Sequence, residues 1–98
     1  MRPPALSPVQ AHEAIERLIE RPATLALTEH ARTRMRERHF TIDDVLWVLR
    51  RGSVSANPEW DEKRETWKYL IRHCGRDGEP LTLVVAIEDR ITVVTGHD

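Results

Sequence analysis

At 98 residues, 40 % hydrophobic and 32 % charged, the chain has material for one hydrophobic core and not for two. Its formal net charge of −1 excludes a molecule-wide field that would draw it to nucleic acid or an anionic membrane, so any such binding has to come from a local patch. The lone cysteine, Cys74, excludes an internal disulfide framework and points to a reducing compartment.

Residues 1–6, Met1-Arg2-Pro3-Pro4-Ala5-Leu6, read as a flexible lead-in without the apolar run of a signal peptide. No stretch has membrane-spanning length, so the expectation is a soluble, cytoplasmic protein with no membrane partner. Ser7-Pro8-Val9-Gln10 reads as a helix start, with Ser7 as N-cap, Pro8 in the first turn and Gln10 completing a capping box. Val9, Ala11, Ala14, Ile15, Leu18 and Ile19 then recur at helical spacing, and Pro22 marks the end, giving a first helix over residues 7–21. Its apolar stripe offers a docking surface for a protein partner or for a second copy of the chain.

A second helix begins after Thr28 and runs to Arg38. Thr41-Ile42-Asp43-Asp44 caps a third, which carries Val45, Leu46, Val48 and Leu49 and finishes in Arg50-Arg51-Gly52. Beyond Gly52 the pattern changes to strands: a short one at Ser53–Ser55, then Thr66–Cys74, Leu81–Ile87 and Ile91–Thr95, separated by turns at residues 75–78 and near Asp89. Helices followed by strands give an α+β class, with N-terminal helices packed on a C-terminal antiparallel β-sheet.

The second helix is the most informative segment. His30, Arg34 and Arg38 are four apart and form a slowly drifting stripe, widened by Arg32 and Arg36. Between residues 30 and 51, six arginines face Glu37, Asp43 and Asp44, a local excess of three positive charges. An imidazole exchanges a proton near neutral pH and a guanidinium binds phosphate in two-pronged fashion, so the stripe suits a phosphodiester. The competing reading is a solvated helix whose arginines are neutralised by Glu37, Asp43 and the acidic 59–65 segment, with Arg38 tying this helix to the next.

On the strand from Thr66 to Cys74, alternation places Trp67, Tyr69, Ile71 and His73 on one face and Lys68, Leu70, Arg72 and Cys74 on the other. Tyr69 or His73 is a candidate second acid–base group; against this, Tyr69 suits a half-buried aromatic with its hydroxyl at the rim. Thr95 is a candidate phosphate hydrogen-bond donor, beside the terminal His97 and Asp98. No glycine-rich phosphate loop and no Cys/His metal arrangement is present, so no metal and no cofactor is expected. Cys74 reads as an inert, partly buried thiol.

The run His30-Ala31-x-x-Arg34-Met35-x-x-Arg38, followed by Ile42-x-Asp44-Val45, Leu49-x-x-Gly52 and a last strand closing on Thr95, resembles a small bacterial family of domains of unknown function. The resemblance covers residues 27–95. That family is grouped with the RelE-like and MqsR-like toxins of the barnase–EndoU–colicin–RelE fold. The resemblance implies one domain over 1–98 with a toxin-like core at 27–95, and metal-independent mRNA cleavage in which a ribose 2′-hydroxyl attacks the adjacent phosphate. It implies His30 as proton-transfer group, Arg34 as phosphate binder and Thr95 as positioning donor. A cognate antitoxin is then an expected partner. The alternative is a non-catalytic module that binds RNA or protein through the same arginine-rich helix.

Overall fold

The computed structural model describes residues 2–21 and 25–97; Pro22, expected to end the first helix, and Asp98 lie outside them. The elements run α1 (Pro8–Ile19), β1 (Leu25–Leu27), α2 (Glu29–Arg38), α3 (Ile42–Arg51), β2 (Ser53–Val54), β3 (Glu59–Asp61), β4 (Thr66–Cys74), β5 (Pro80–Ile87) and β6 (Ile91–His97). The class is α+β, as the residue pattern implies. Among the described residues no helix is long and apolar enough to cross a membrane.

Local chemistry accounts for the helices. The Ser7 hydroxyl accepts from the Gln10 amide, and the Gln10 side chain accepts from the Ser7 amide in return, so two donors left over at the start of α1 are satisfied. Thr41 and Asp44 form the same reciprocal box at α3. α2 ends on His39 in the left-handed region (φ 57°), which turns the chain sharply toward α3.

The sheet has the order β1–β6–β5–β4–β2, with β3 also paired to β4. All pairings are antiparallel except β1–β6, so the expected antiparallel sheet carries one parallel edge strand, and that strand lies between α1 and α2. β3 also falls within the acidic 59–65 segment, for which the sequence suggested no strand. It forms a hairpin with β4, held by the edge-on contact of Trp60 with Trp67, whose ring centroids are 5.3 Å apart.

The three helices line one face of this sheet. Ala11, Ile15 and Leu18 of α1, Ala31 of α2, and Val45, Val48 and Leu49 of α3 pack with Tyr69, Ile71, Leu83, Val85, Ile91 and Val93. The apolar stripe of α1 is therefore spent on its own sheet. Val9, 67 % exposed, is the part left outside, so the stripe is not the free docking surface expected of it. The lead-in is not loose either: residues 2–6 are tied to the β3–β4 hairpin, as described below.

Gly52, at the end of α3, sits where a Cβ would stand 2.6 Å from both the Val48 carbonyl oxygen and Ile71 Cγ2. The obstacle includes backbone, which cannot swing aside. Gly52→Ala should destabilise the fold by about 1–3 kcal/mol, read from the urea midpoint at unchanged slope.

Asp44 generates a pH dependence. The Thr41 backbone N–H holds its carboxyl below the usual aspartate range; burial opposes this, while the Thr41 hydroxyl and the amide and charge of Arg76 add to it. The charged form is thus favoured by folding. Its contribution is present above the ordinary aspartate value of about 4 and fades as pH falls through the lowered folded value. Asp44→Asn should flatten the loss of stability below about pH 4 relative to the parent chain, measured by urea titration at each pH.

Candidate functional site

Thr28 fixes the position of α2. Its hydroxyl accepts from the Ala31 amide (3.0 Å), capping the helix, and donates to the Val94 carbonyl (2.7 Å); its own amide donates to the Val93 carbonyl (3.1 Å). One residue therefore holds two consecutive carbonyls of β6. In a regular strand such carbonyls point to opposite edges. Here the β5–β6 register slips between Val84 and Val85: Val93 is opposite Val85 and Thr95 is opposite Val84, leaving Val94 as the bulged residue.

The bulge also decides which way Thr95 faces. Paired residues share a side of the sheet, so Thr95 joins Val84 and Leu70 on the face away from the core cluster. Gly96, next along, is opposite Leu83 on the core side, where a Cβ would stand 2.6 Å from Phe40 Cζ. α2 is thereby laid along β6, with its first turn tied to the carbonyls immediately before Thr95.

His30 is exposed on that first turn. Arg34, one turn on, has a side chain 36 % exposed and lies 3.7 Å from Glu37. Arg36 donates to the Thr33 hydroxyl at 3.4 Å, and Arg32 and Arg38 are exposed. Arg32 and Arg36 flank a shallow groove of about 300 Å³ floored by Leu27, Met35 and Phe40. The acids expected to neutralise this stripe have further partners of their own: Asp43 is 3.4 Å from Arg76, and Glu62 is 3.2 Å from Arg2.

The structure thus puts His30 and Arg34 on α2 and Thr95 on the adjoining strand, but on the sheet face turned away from the helices, and leaves two further candidates elsewhere. Tyr69 is 3 % exposed and opposite Val85, on the core face, and its hydroxyl accepts from the Leu6 amide at 2.9 Å. It is more deeply buried than the half-buried ring expected and its hydroxyl is already engaged. His73 is exposed and opposite Leu81, so it shares the side of Tyr69 and is across the sheet from Thr95. Cys74 is exposed rather than partly buried.

One group went unrecognised in the sequence. On the face of Thr95, register rows join Lys68 with Ala86 and Thr92, Leu70 with Val84 and Thr95, and Arg72 with Thr82 and His97. None of these belongs to the core cluster beneath the helices. The alternation of β4 already separated Lys68 and Arg72 from Tyr69; what was missing was the register that sets threonines beside them. Among the described residues, no three His, Cys, Asp or Glu side chains gather where they could hold a metal ion.

A family model described as a domain of unknown function (DUF4258) matches residues 27–95, from the last residue of β1 to Thr95 in β6, and leaves out the lead-in and α1. No curated protein and no solved structure matches the chain.

Because Thr28 both caps α2 and ties it to the bulge, Thr28→Val removes two hydrogen bonds with little change in volume. It should cost about 1–3 kcal/mol in urea unfolding and speed hydrogen exchange at the Ala31 amide. Thr28→Ser, which keeps both bonds, should stay within roughly 1 kcal/mol of the parent. Equal stability of all three chains would show that the tie does not hold α2 in place.

Proposed function

The chain belongs to the DUF4258 family, whose description assigns no activity, and from that premise we propose that it is a RelE-like, toxin-type endoribonuclease cleaving RNA without a metal ion. The observation that carries this reading is the pinning of α2 to β6 by Thr28, which sets a helix bearing an imidazole and a guanidinium beside a strand whose next residue is a threonine.

Each group has a role suited to in-line attack by a ribose 2′-hydroxyl. His30 accepts the hydroxyl proton, the 2′-oxygen bonds to phosphorus, and the bond to the 5′-oxygen breaks as that oxygen takes up a proton from solvent water. The products are a cyclic phosphate and a free 5′-hydroxyl. Arg34 opposes the charge that builds on the non-bridging oxygens, and Thr95, on the other face of the sheet, donates to a neighbouring phosphate of an RNA that passes the edge of β6. Arg32, Arg36 and Arg38 hold flanking phosphates, and the positive end of the α2 dipole favours an anion at its first turn. The near-neutral net charge fits a patch rather than a whole-molecule field. On this reading a cognate antitoxin keeps the enzyme inactive in a bacterial cytoplasm.

The exposure of His30 favours one rival, an RNA-binding module that does not cleave. Both readings require salt-sensitive binding, because each phosphate neutralised releases counterions. They part at His30→Ala. Incubated with RNA in a chelating buffer, with and without ribosomes, the parent chain should cleave, and His30→Ala and Arg34→Ala should each lose about 100-fold or more in rate while remaining folded. Salt-sensitive binding by a parent chain that never cleaves would select the binding module, and neither binding nor cleavage would dismiss both.

A further inference from the structure

Residues 2–6 lie across the β3–β4 hairpin through specific contacts. The Trp67 indole N–H donates to the Pro3 carbonyl at 2.7 Å, and the Leu6 amide donates to the Tyr69 hydroxyl at 2.9 Å. Arg2 reaches Glu62 at 3.2 Å, with its guanidinium carbon 5.5 Å from the centre of the Trp60 ring. An indole can only donate and a proline can only accept through its carbonyl, so the Trp67–Pro3 bond joins the one polar group of each.

The segment is preorganised for this. Two prolines fix their own φ angles, and each restricts the residue before it, so Arg2, Pro3 and Pro4 favour an extended polyproline conformation with little entropy to lose. Aromatic slots that seat proline-rich strands use the same logic: flat rings against the prolines, an indole N–H to a carbonyl, and an acid for a flanking arginine. The slot is also larger than its occupant. Open grooves of about 550 Å³ flank the segment on both sides, one beside α1 and the other beside Trp60. Their walls carry Glu13, Glu62, Glu65 and Glu88 against Arg17, so without Arg2 the surface is acidic. Trp60, Trp67 and Tyr69 fall inside the family match at 27–95, whereas the segment they hold falls outside it.

We propose that Trp60, Trp67 and Tyr69 form a recognition slot for a proline-rich, arginine-bearing peptide, occupied in cis by residues 2–6 and available in trans to such a segment of a partner protein. The cis segment acts as a tethered competitor at an effective concentration near the millimolar range, which sets the threshold a partner must exceed. The slot is independent of the ribonuclease reading, since Tyr69 and Trp67 share the core side of β4 and Thr95 lies on the other side.

The test is a titration of the full chain with the peptide Arg-Pro-Pro-Ala-Leu-Ser, following the Trp67 indole N–H resonance. A chain carrying Arg2→Ala, Pro3→Ala and Pro4→Ala should bind it at least about tenfold more tightly than the parent, because the competitor is weakened. Adding Trp67→Phe, which keeps a ring but not the donor and is titrated by calorimetry alongside the triple variant because it lacks the resonance, should remove most of that binding, and an all-alanine peptide should not bind. Failure of the peptide to bind the weakened chain, or equal binding of the alanine peptide, overturns the proposal. Should the triple variant fail to fold, the parent titrated with millimolar amounts of the peptide carrying a fluorescent label decides: saturable binding that the unlabelled peptide displaces and the alanine peptide does not supports the slot, and its absence overturns it.

Discussion

The hydroxyl of Thr28 couples α2 to β6. A helix N-cap has to satisfy an amide of the first turn, and a β-bulge has to find a partner for a carbonyl displaced from its ladder. One threonine does both, accepting from Ala31 and donating to Val94. Three things follow from the bulge: α2 is held along β6, Thr95 turns to the open face, and Gly96 comes under Phe40 on the core side. Had the ladder run without a slip, Thr95 would be opposite Leu83 and would face the apolar core.

That dependence explains what the sequence did and did not disclose. Elements whose ends carry their own chemistry were legible: Ser7 and Gln10 bracket the start of α1, Thr41 and Asp44 that of α3, and Gly52 closes α3. β5 was legible because Leu83 to Ile87 is an unbroken apolar run, as suits a central strand buried on both faces. β1 and β3 were not, because three residues are too few to show a period of two. Glu59 and Asp61 look like loop residues until Trp60 is seen against Trp67. That His30, Arg34 and Arg38 run along one helix could be read because helical spacing is rigid. The side on which Thr95 lies could not, since a slip of one residue reverses it and nothing within Ile91–Thr95 announces the bulge.

The two sides of the sheet divide the work of the chain. The side under the helices holds the large buried side chains, among them Ile15, Leu49, Ile71 and Leu83, whose removal from water contributes about 1.5–3 kcal/mol each. Tyr69 belongs to that side, and a hydroxyl engaged by the Leu6 amide within a packed core is ill placed to exchange protons with a substrate. The other side carries Lys68, Arg72 and a set of threonines. Thr82, Val84 and Ala86 at its centre are buried as well, so that side is open only toward Lys68, Arg72 and the strand ends.

The exposure of His30 sets a condition on the chemistry proposed for it. Guanidinium and hydroxyl donors stabilise developing charge most strongly where water is excluded, and an open first helical turn excludes little on its own. The exclusion must then come from the ligand. A small phosphate ester would touch the turn and stay solvated, whereas a polymer lying along α2 would cover His30 and Arg34 while its flanking phosphates meet Arg32 and Arg36, and would reach Thr95 by passing the edge of β6. On that argument a site without walls selects a long substrate: the flanking contacts supply the binding energy that seals the reacting phosphate from water.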